Sequence, residues 1–232
     1  MYDFHTHILP GIDDGSKDTD MSIDMLRAEI DQGVRGIALT PHFYADMTDL
    51  DTFFERRSRA KQKLEEAISE NNLQAPRIIV GAEVHYYRGM GRSEALKDLT
   101  LGNSNYLLLE LPFGTWPGNI LEEIDNIMEY QGLNVIIAHV ERYLDRDRIR
   151  DIINNEDLIK QSNAEAFTDR RAARKALRLL KEGKIQILGS DCHNMSYRKP
   201  DLGEAQKIIE KKLGREYMEE INARSEEIFT QA

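Results

Sequence analysis

Five of the six histidines, His5, His7, His42, His139 and His193, lie at or just beyond the ends of short apolar runs that read as β-strands, as do the acids best suited to hold a cation. In Tyr2-Asp3-Phe4-His5-Thr6-His7, strand alternation turns both imidazoles to one side. Val34 to Leu39 leads into Thr40-Pro41-His42, Ile78 to Val80 into Gly81-Ala82-Glu83, and Tyr106 to Leu109 into Glu110. Val135 to Ala138 reaches His139, and Ile185 to Leu188 runs into Gly189-Ser190-Asp191-Cys192-His193. Imidazole and carboxylate at this density describe a polynuclear metal site.

Each residue alone has a plainer explanation. A single strand-end histidine is more often packed or capping than ligating. The pairs His5-x-His7 and Asp191-x-His193 carry more weight, and an unpaired Glu83 or Glu110 after an apolar run would be costly to bury. Together with Asp14 the candidates number nine: His5, His7, Asp14, His42, Glu83, Glu110, His139, Asp191 and His193. They are too many for one ion and suit two or three divalent ions sharing a bridging carboxylate. Open imidazole–carboxylate sites fit Mn²⁺, Fe or Zn²⁺ used catalytically, whereas structural zinc favours thiolates. Such a cluster lowers the pKa of a bridging water, supplies hydroxide and neutralises a phosphoryl group, so phosphoester hydrolysis is the expected reaction.

To gather these residues the strands must end at one place. Between them, Thr19 to Gly33, Phe53 to Ile68, Ile120 to Met128, Ala172 to Leu180 and Leu202 to Leu213 carry apolar residues at helical spacing, with Gly33, Gly132 and Gly183 placed as terminal caps. If Ser162 to Phe167 is a weak sixth strand, the order is seven β-α units with crossovers long enough for a parallel sheet. That predicts an α/β fold, a distorted (β/α)7 barrel with its active site at the C-terminal strand ends. At 232 residues and 41% hydrophobic content, one domain over 1–232 is expected. No secretory or membrane-spanning run is present, which predicts a cytoplasmic protein without direct membrane insertion. A net charge of −10 argues against nucleic acid as a partner, and a single cysteine excludes an intrachain disulfide framework.

The stretch His5-Thr6-His7-Ile8-Leu9-Pro10-Gly11-Ile12-Asp13-Asp14-Gly15, with Thr40-Pro41-His42, Gly81-Ala82-Glu83, His139-Val140-Glu141-Arg142-Tyr143 and Ser190-Asp191-Cys192-His193-Asn194, resembles the polymerase and histidinol phosphatase (PHP) superfamily. Within it the chain looks like the bacterial manganese-dependent protein-tyrosine phosphatases of capsule and exopolysaccharide loci. The resemblance implies a distorted barrel with three metal ions, Mn²⁺ foremost. His5, His7, Glu83 and Asp191 would hold one; Glu83 would bridge to a second held by Glu110 and His139; Asp14, His42 and His193 would hold the third. Arg142 and Arg198 match phosphate-contacting arginines. The implied substrate is a phosphotyrosine protein, an autophosphorylating tyrosine kinase controlling capsule or exopolysaccharide synthesis. Asp13, beside Gly15, has turn chemistry as its plain role. The alternatives are a small-molecule phosphatase, such as a histidinol phosphatase, and a non-catalytic, metal-stabilised kinase-docking protein.

Glu165 and Gln186 depart from the family pattern at positions that bear on substrate preference more than on hydrolysis. Cys192-x5-Arg198 has the bare spacing of thiol-based tyrosine phosphatases, but no glycine opens a phosphate cradle between them. Metal-hydroxide attack without a phosphocysteine is therefore the expected mechanism. His85 is expected to be dispensable, Trp116 to wall the pocket or cover the rim, and the basic residues from Arg170 to Lys184 to form a solvated face or dock an acidic tail.

Overall fold

The apolar runs become nine parallel-pairing strand segments in the computed structural model, which describes residues 1–232. They are β1 (Tyr2–Thr6), β2 (Gly36–Leu39), β3 (His42–Phe43), β4 (Arg77–Val80), β5 (Glu83–His85), β6 (Tyr106–Glu110), β7 (Asn134–Ile137), β8 (Ile159–Asn163) and β9 (Ile187–Gly189). Eight α-helices run between and after them: α1 (Thr19–Asp31), α2 (Leu50–Glu70), α3 (Ile120–Gln131), α4 (Ile149–Asn154), α5 (Glu165–Thr168), α6 (Ala173–Lys181), α7 (Leu202–Lys212) and α8 (Arg215–Gln231). Hydrogen-bonded order is β1-β2-β4 in one sheet and β3-β5-β6-β7-β8-β9 in the other. Backbone bonds from His7 N to Cys192 O (3.0 Å) and from Asp191 N to His5 O (2.7 Å) tie β1 to the chain after β9. The outcome is the expected α/β fold, a curled parallel sheet forming a distorted half-barrel.

Two of the seven expected strands are broken, and the breaks build the site. β2 stops at Thr40-Pro41, where proline lacks the N–H a ladder needs, and resumes as β3. β4 stops at Gly81-Ala82 and resumes as β5; a Cβ on Gly81 would lie 2.8 Å from Leu101 Cδ2 and 2.9 Å from Thr100 O, so only glycine passes there. Each break transfers the strand end to the other sheet, which pairs His42 directly with Glu83.

The sixth strand is shifted from its expected place. β8 covers Ile159–Asn163, while Glu165–Thr168 forms the helical turn α5. All five β8 residues are buried although four are polar, because Gln161 and Asn163 bond to site residues and Lys160 to the Asn155 and Leu158 carbonyls. Apolar patterning therefore cannot register them.

Alternation gives the sheet two apolar faces. Ile37, Leu39, Leu107, Leu109, Val135 and Ile137 belong to the larger core beneath the helices. Ala38, Ile79, Leu108, Ile136 and Ile187 belong to a smaller one with Phe4, closed by Ile228 and Phe229 of α8. Phe229 meets the rings of Phe4 and Tyr2 at 5.0 Å each. Asp18 and Asp49 cap α1 and α2 by accepting from Met21 N and Thr52 N, both at 2.9 Å. No helix is long and apolar enough to cross a membrane.

Candidate metal centre

All nine candidate ligands lie at or just beyond C-terminal strand ends or in the loop after β1, and Glu83 is their centre. Its Oε2 lies 3.1 Å from His5 Nε2, 3.4 Å from His7 Nε2 and 2.8 Å from His42 Nδ1; its Oε1 lies 3.0 Å from His139 Nε2. Glu110 Oε1 approaches His139 Nε2 at 3.4 Å, and Asp14 Oδ1 approaches His42 Nε2 and His193 Nε2 at 3.4 Å each. Asp191 Oδ1 lies 3.5 Å from His5 Nε2 and 3.4 Å from His7 Nε2. Ligand atoms of His7, Asp14, His42 and His193 fall within 4.8 Å of one another, as do those of His5, His7 and Glu83, and of His42, Glu83 and Glu110. His42 thus stands between two groups, one nitrogen toward each.

The imidazoles are aimed from behind. His7 Nδ1 pairs with Asp13 Oδ2 at 2.8 Å, and His5 Nδ1 with Gln161 Oε1 at 3.3 Å, so both Nε2 atoms face the cluster. His193 Nδ1 donates to Asp191 O at 2.9 Å, freeing its Nε2. Partners of this kind fix the tautomer and ring orientation of metal-ligating histidines. Asp13 also accepts from Gly15 N and His42 N, both at 3.0 Å, so its turn role and its hold on His7 are one arrangement. His139 and Asp191 both adopt left-handed backbone, at φ 32° and 54°, a cost of the kind that gathers at functional sites.

These donors fit a cation. Glu83 Oε2, His42 Nδ1 and His193 Nε2 are buried without a hydrogen-bond partner; the 2.8 Å approach of the first two is off the line of a hydrogen bond. Unpartnered buried lone pairs converging from three elements are costly unless a positive charge sits among them. Charge has the same consequence. Burial disfavours the Glu83 carboxylate, but His5, then His139 and His42, outweigh it and hold Glu83 well below the usual range. Burial also opposes Asp191, which His5 and His7 hold well below its usual value. Against burial, Asp13 first, then Asp191 and Glu83, lift His7 well above the histidine range. Glu110 and Glu83 raise His139 to about 9, and Glu83 raises His42. Burial prevails at His193 and lowers it. Without a cation, the surrounding carboxylates favour the protonated, positively charged form of His7, His42 and His139.

Arg142 and Arg198 converge on one carboxylate: Arg142 Nη2 donates to Asp191 Oδ2 at 2.7 Å, and Arg198 Nη2 forms an ion pair with Asp191 Oδ1 at 2.6 Å. Both line a cavity of about 180 Å³ with Asn163, Glu165, Lys199, Asp201 and Glu204, so Glu165 does border the site. Gln186 does not; it accepts from Lys160 N at 2.8 Å and donates to Gly183 O at 2.7 Å. Cys192 is fully buried, and burial, reinforced by Glu29 and Asp3, pushes its thiol well up. Trp116 packs edge-on against Tyr143 at 5.8 Å and donates to Pro112 O, covering the rim. Phe113, not Trp116, stacks over His139, at 5.7 Å and 22°.

Three functional neighbours escaped the pattern of runs and ligands. His85 Nδ1 pairs with Glu110 Oε2 at 2.8 Å, so it is not a free surface residue. Gln161 Oε1 also accepts from His139 N at 2.7 Å, and Asn163 Nδ2 donates to Asp191 Oδ2 at 2.8 Å. The signal that could have found Gln161 and Asn163 is a strand with polar residues at successive buried positions.

Residues 1–229 match the family model described as capsular polysaccharide synthesis, CpsB/CapC. The chain is 30% identical over 233 residues to the tyrosine-protein phosphatase CpsB of Streptococcus agalactiae serotype V, covering 93% of this chain and 92% of that one. It is 30% identical over 250 residues to the tyrosine-protein phosphatase YwqE of Bacillus subtilis, covering 100% and 94%. Among solved structures it superposes, with a TM-score of 0.86 and 26% identity over 100% of this chain and 95% of the other, on one reported with YwqE from Bacillus subtilis and CpsB from Streptococcus pneumoniae as unique metal-dependent tyrosine phosphatases. The chain is a member of the CpsB/CapC family of capsular polysaccharide synthesis.

Proposed function

We propose that this chain, as one domain over 1–232, is a cytoplasmic, metal-dependent protein-tyrosine phosphatase. Its substrate is the phosphotyrosine of an autophosphorylating kinase that controls capsule or exopolysaccharide synthesis. The observation that carries the reading is the convergence of imidazole and carboxylate groups on Glu83, with unpartnered lone pairs at its centre and two arginines at its edge. His5, His7, Glu83 and Asp191 would hold one ion, Glu83, Glu110 and His139 a second, and Asp14, His42 and His193 a third, Mn²⁺ being the expected metal. When bound, divalent ions supply a water of lowered pKa as nucleophile and positive charge against the phosphoryl oxygens.

The chain's own residues do the rest. Arg142 and Arg198 each present a planar donor fork that grips phosphate oxygens, and Asp191 holds both in place, accepting from Arg142 and pairing by charge with Arg198. Asp13, Gln161 and the Asp191 carbonyl keep three imidazoles pointed inward. The phosphoryl group passes to water and the tyrosine phenol leaves, with no use for sulfur. Cys192 is buried with its thiol held protonated, whereas a nucleophilic cysteine needs an accessible thiolate. Cys192→Ser is expected to remain within about tenfold of the parent rate. An inactive Cys192→Ser that keeps its metals, with phosphate trapped on cysteine in the parent, would overturn the mechanism.

One observation favours a second reading. Glu165, Asp201 and Glu204 share the cavity of Arg142 and Arg198, which suits a small phosphoester carrying an ammonium group, as histidinol phosphate does. A Mn²⁺-reconstituted panel separates the two: the main reading expects phosphotyrosine peptide to be turned over far better than histidinol phosphate, and the reverse order would install the second.

A further inference from the structure

The metal-ligand cluster lies between two cavities, one almost wholly polar and one with a partly apolar lining. On the Asp191 side is the one lined by Arg142 and Arg198, where ten of the eleven lining residues are polar. On the Asp14 side is another, of about 320 Å³, between the loop after β1 and the loop after β3. It shares Asp14 and His42 with the cluster, and its remaining walls include Ile12, Tyr44, Met47 and Phe53.

We propose that this second cavity is the subsite for the aromatic ring of the phosphotyrosine substrate; the proposal rests on the phosphatase reading above. Arg142 and Arg198 lie on the Asp191 side of the cluster and this cavity on the Asp14–His42 side, so a phosphate gripped by the arginines would have the cavity open to its ester group. Beyond Asp14 and His42 the cavity is lined by Ile12, Tyr44, Met47 and Phe53, with Asp13, Thr48 and Arg56 as its polar members. The Tyr44 ring stands 5.1 Å from the His42 ring and 5.2 Å from the His85 ring, spacings at which aromatic groups attract. Ile12 and Phe53, at 6% and 3% exposure, form a fixed floor. Met47 at the rim is 78% exposed, an apolar side chain held in water beside a concavity that a ring would cover. Ligand sites start at about 300 Å³, which suits one aromatic side chain rather than a large ligand. The opposite cavity contributes a single aromatic residue, Tyr197, 82% exposed and without a cavity wall behind it of comparable apolar character.

The test compares phenylphosphonate with methylphosphonate, which carry the same phosphate-like head on a ring or a methyl group and are not hydrolysed. Their affinities for the Mn²⁺-loaded protein are measured by calorimetry, so the readout does not depend on turnover. The parent is expected to bind phenylphosphonate about tenfold more tightly, the scale of a partly buried ring. The neutral changes Met47→Asn and Tyr44→Ser should each narrow that gap severalfold while leaving methylphosphonate affinity and metal content intact. Tyr197→Ser should leave the gap as it is. Equal binding of the two phosphonates by the parent, a gap that survives both Met47→Asn and Tyr44→Ser, or one lost in Tyr197→Ser would overturn the proposal. Failure of the functional reading looks different: phosphotyrosine peptide would stay intact while the phosphonates were still told apart.

Discussion

Asp13 and His85 show how far single residues could be understood in advance. Nearly every group at the centre was visible as a histidine or acid ending an apolar run, because ligands must sit where strands stop. What was hidden is which residue aims which. His85 looks like an ordinary strand residue, yet its hydrogen bond to Glu110 makes it an orienting partner of a proposed ligand. His85→Ala should therefore lower metal affinity or activity by about 10- to 100-fold, the usual cost of losing such a partner. His5→Ala and Asp191→Ala should abolish most turnover. Metal analysis of the purified variants checks both; unchanged metal binding and activity in His85→Ala would restore it to the surface. Arg142→Ala and Arg198→Ala should weaken turnover without emptying the site, since guanidinium grips phosphate but repels cations. Metal loss in either variant would make that arginine a support for Asp191.

At the scale of elements, the periodicity of apolar residues located six of the seven strands and the principal helices because those residues face the two cores; it misplaced β8, whose buried residues are mostly polar. It could not show the breaks at Thr40-Pro41 and Gly81-Ala82, which transfer His42 and Glu83 between sheets, since a break is a matter of pairing rather than of burial. It also missed α8, whose mixed sequence buries Ile228 and Phe229 only because the curled sheet leaves a space for them. The junction of β1 with β9 leaves no room for a side chain. A Cβ at Gly189 would lie 2.6 Å from His5 Cβ and 2.8 Å from Gln161 Nε2, and neither can retreat without turning His5 away from the cluster. Gly189→Ala should fold, as judged by circular dichroism, and bind fewer metal ions than the parent. Full metal content with parent-like activity would show that the junction tolerates the methyl group.

For the molecule as a whole, protons and metal ions compete for the same lone pairs. His7, His42 and His139 all titrate above the ordinary histidine value in the metal-free protein, His139 at about 9, and must release protons to bind metal. Metal affinity should thus rise with pH across about 6 to 9. The stability of the metal-free fold runs the other way. A raised histidine contributes fully below its unfolded pKa and loses that contribution as pH climbs through the folded one, whereas depressed Glu83 and Asp191 lose theirs on acidification. The gap in melting temperature between metal-loaded and metal-free protein should widen from pH 7 toward pH 9; a constant gap would mean that these imidazoles are not the groups displaced. The central claim is that hydrolysis of phosphotyrosine depends on metal held by this cluster. Its most direct test is to strip the protein with a chelator, then titrate Mn²⁺ back while measuring bound metal and phosphotyrosine-peptide turnover on the same samples. Activity should vanish with the metal and return in step with site occupancy, and metal-free protein that hydrolyses the peptide at the parent rate would contradict the account.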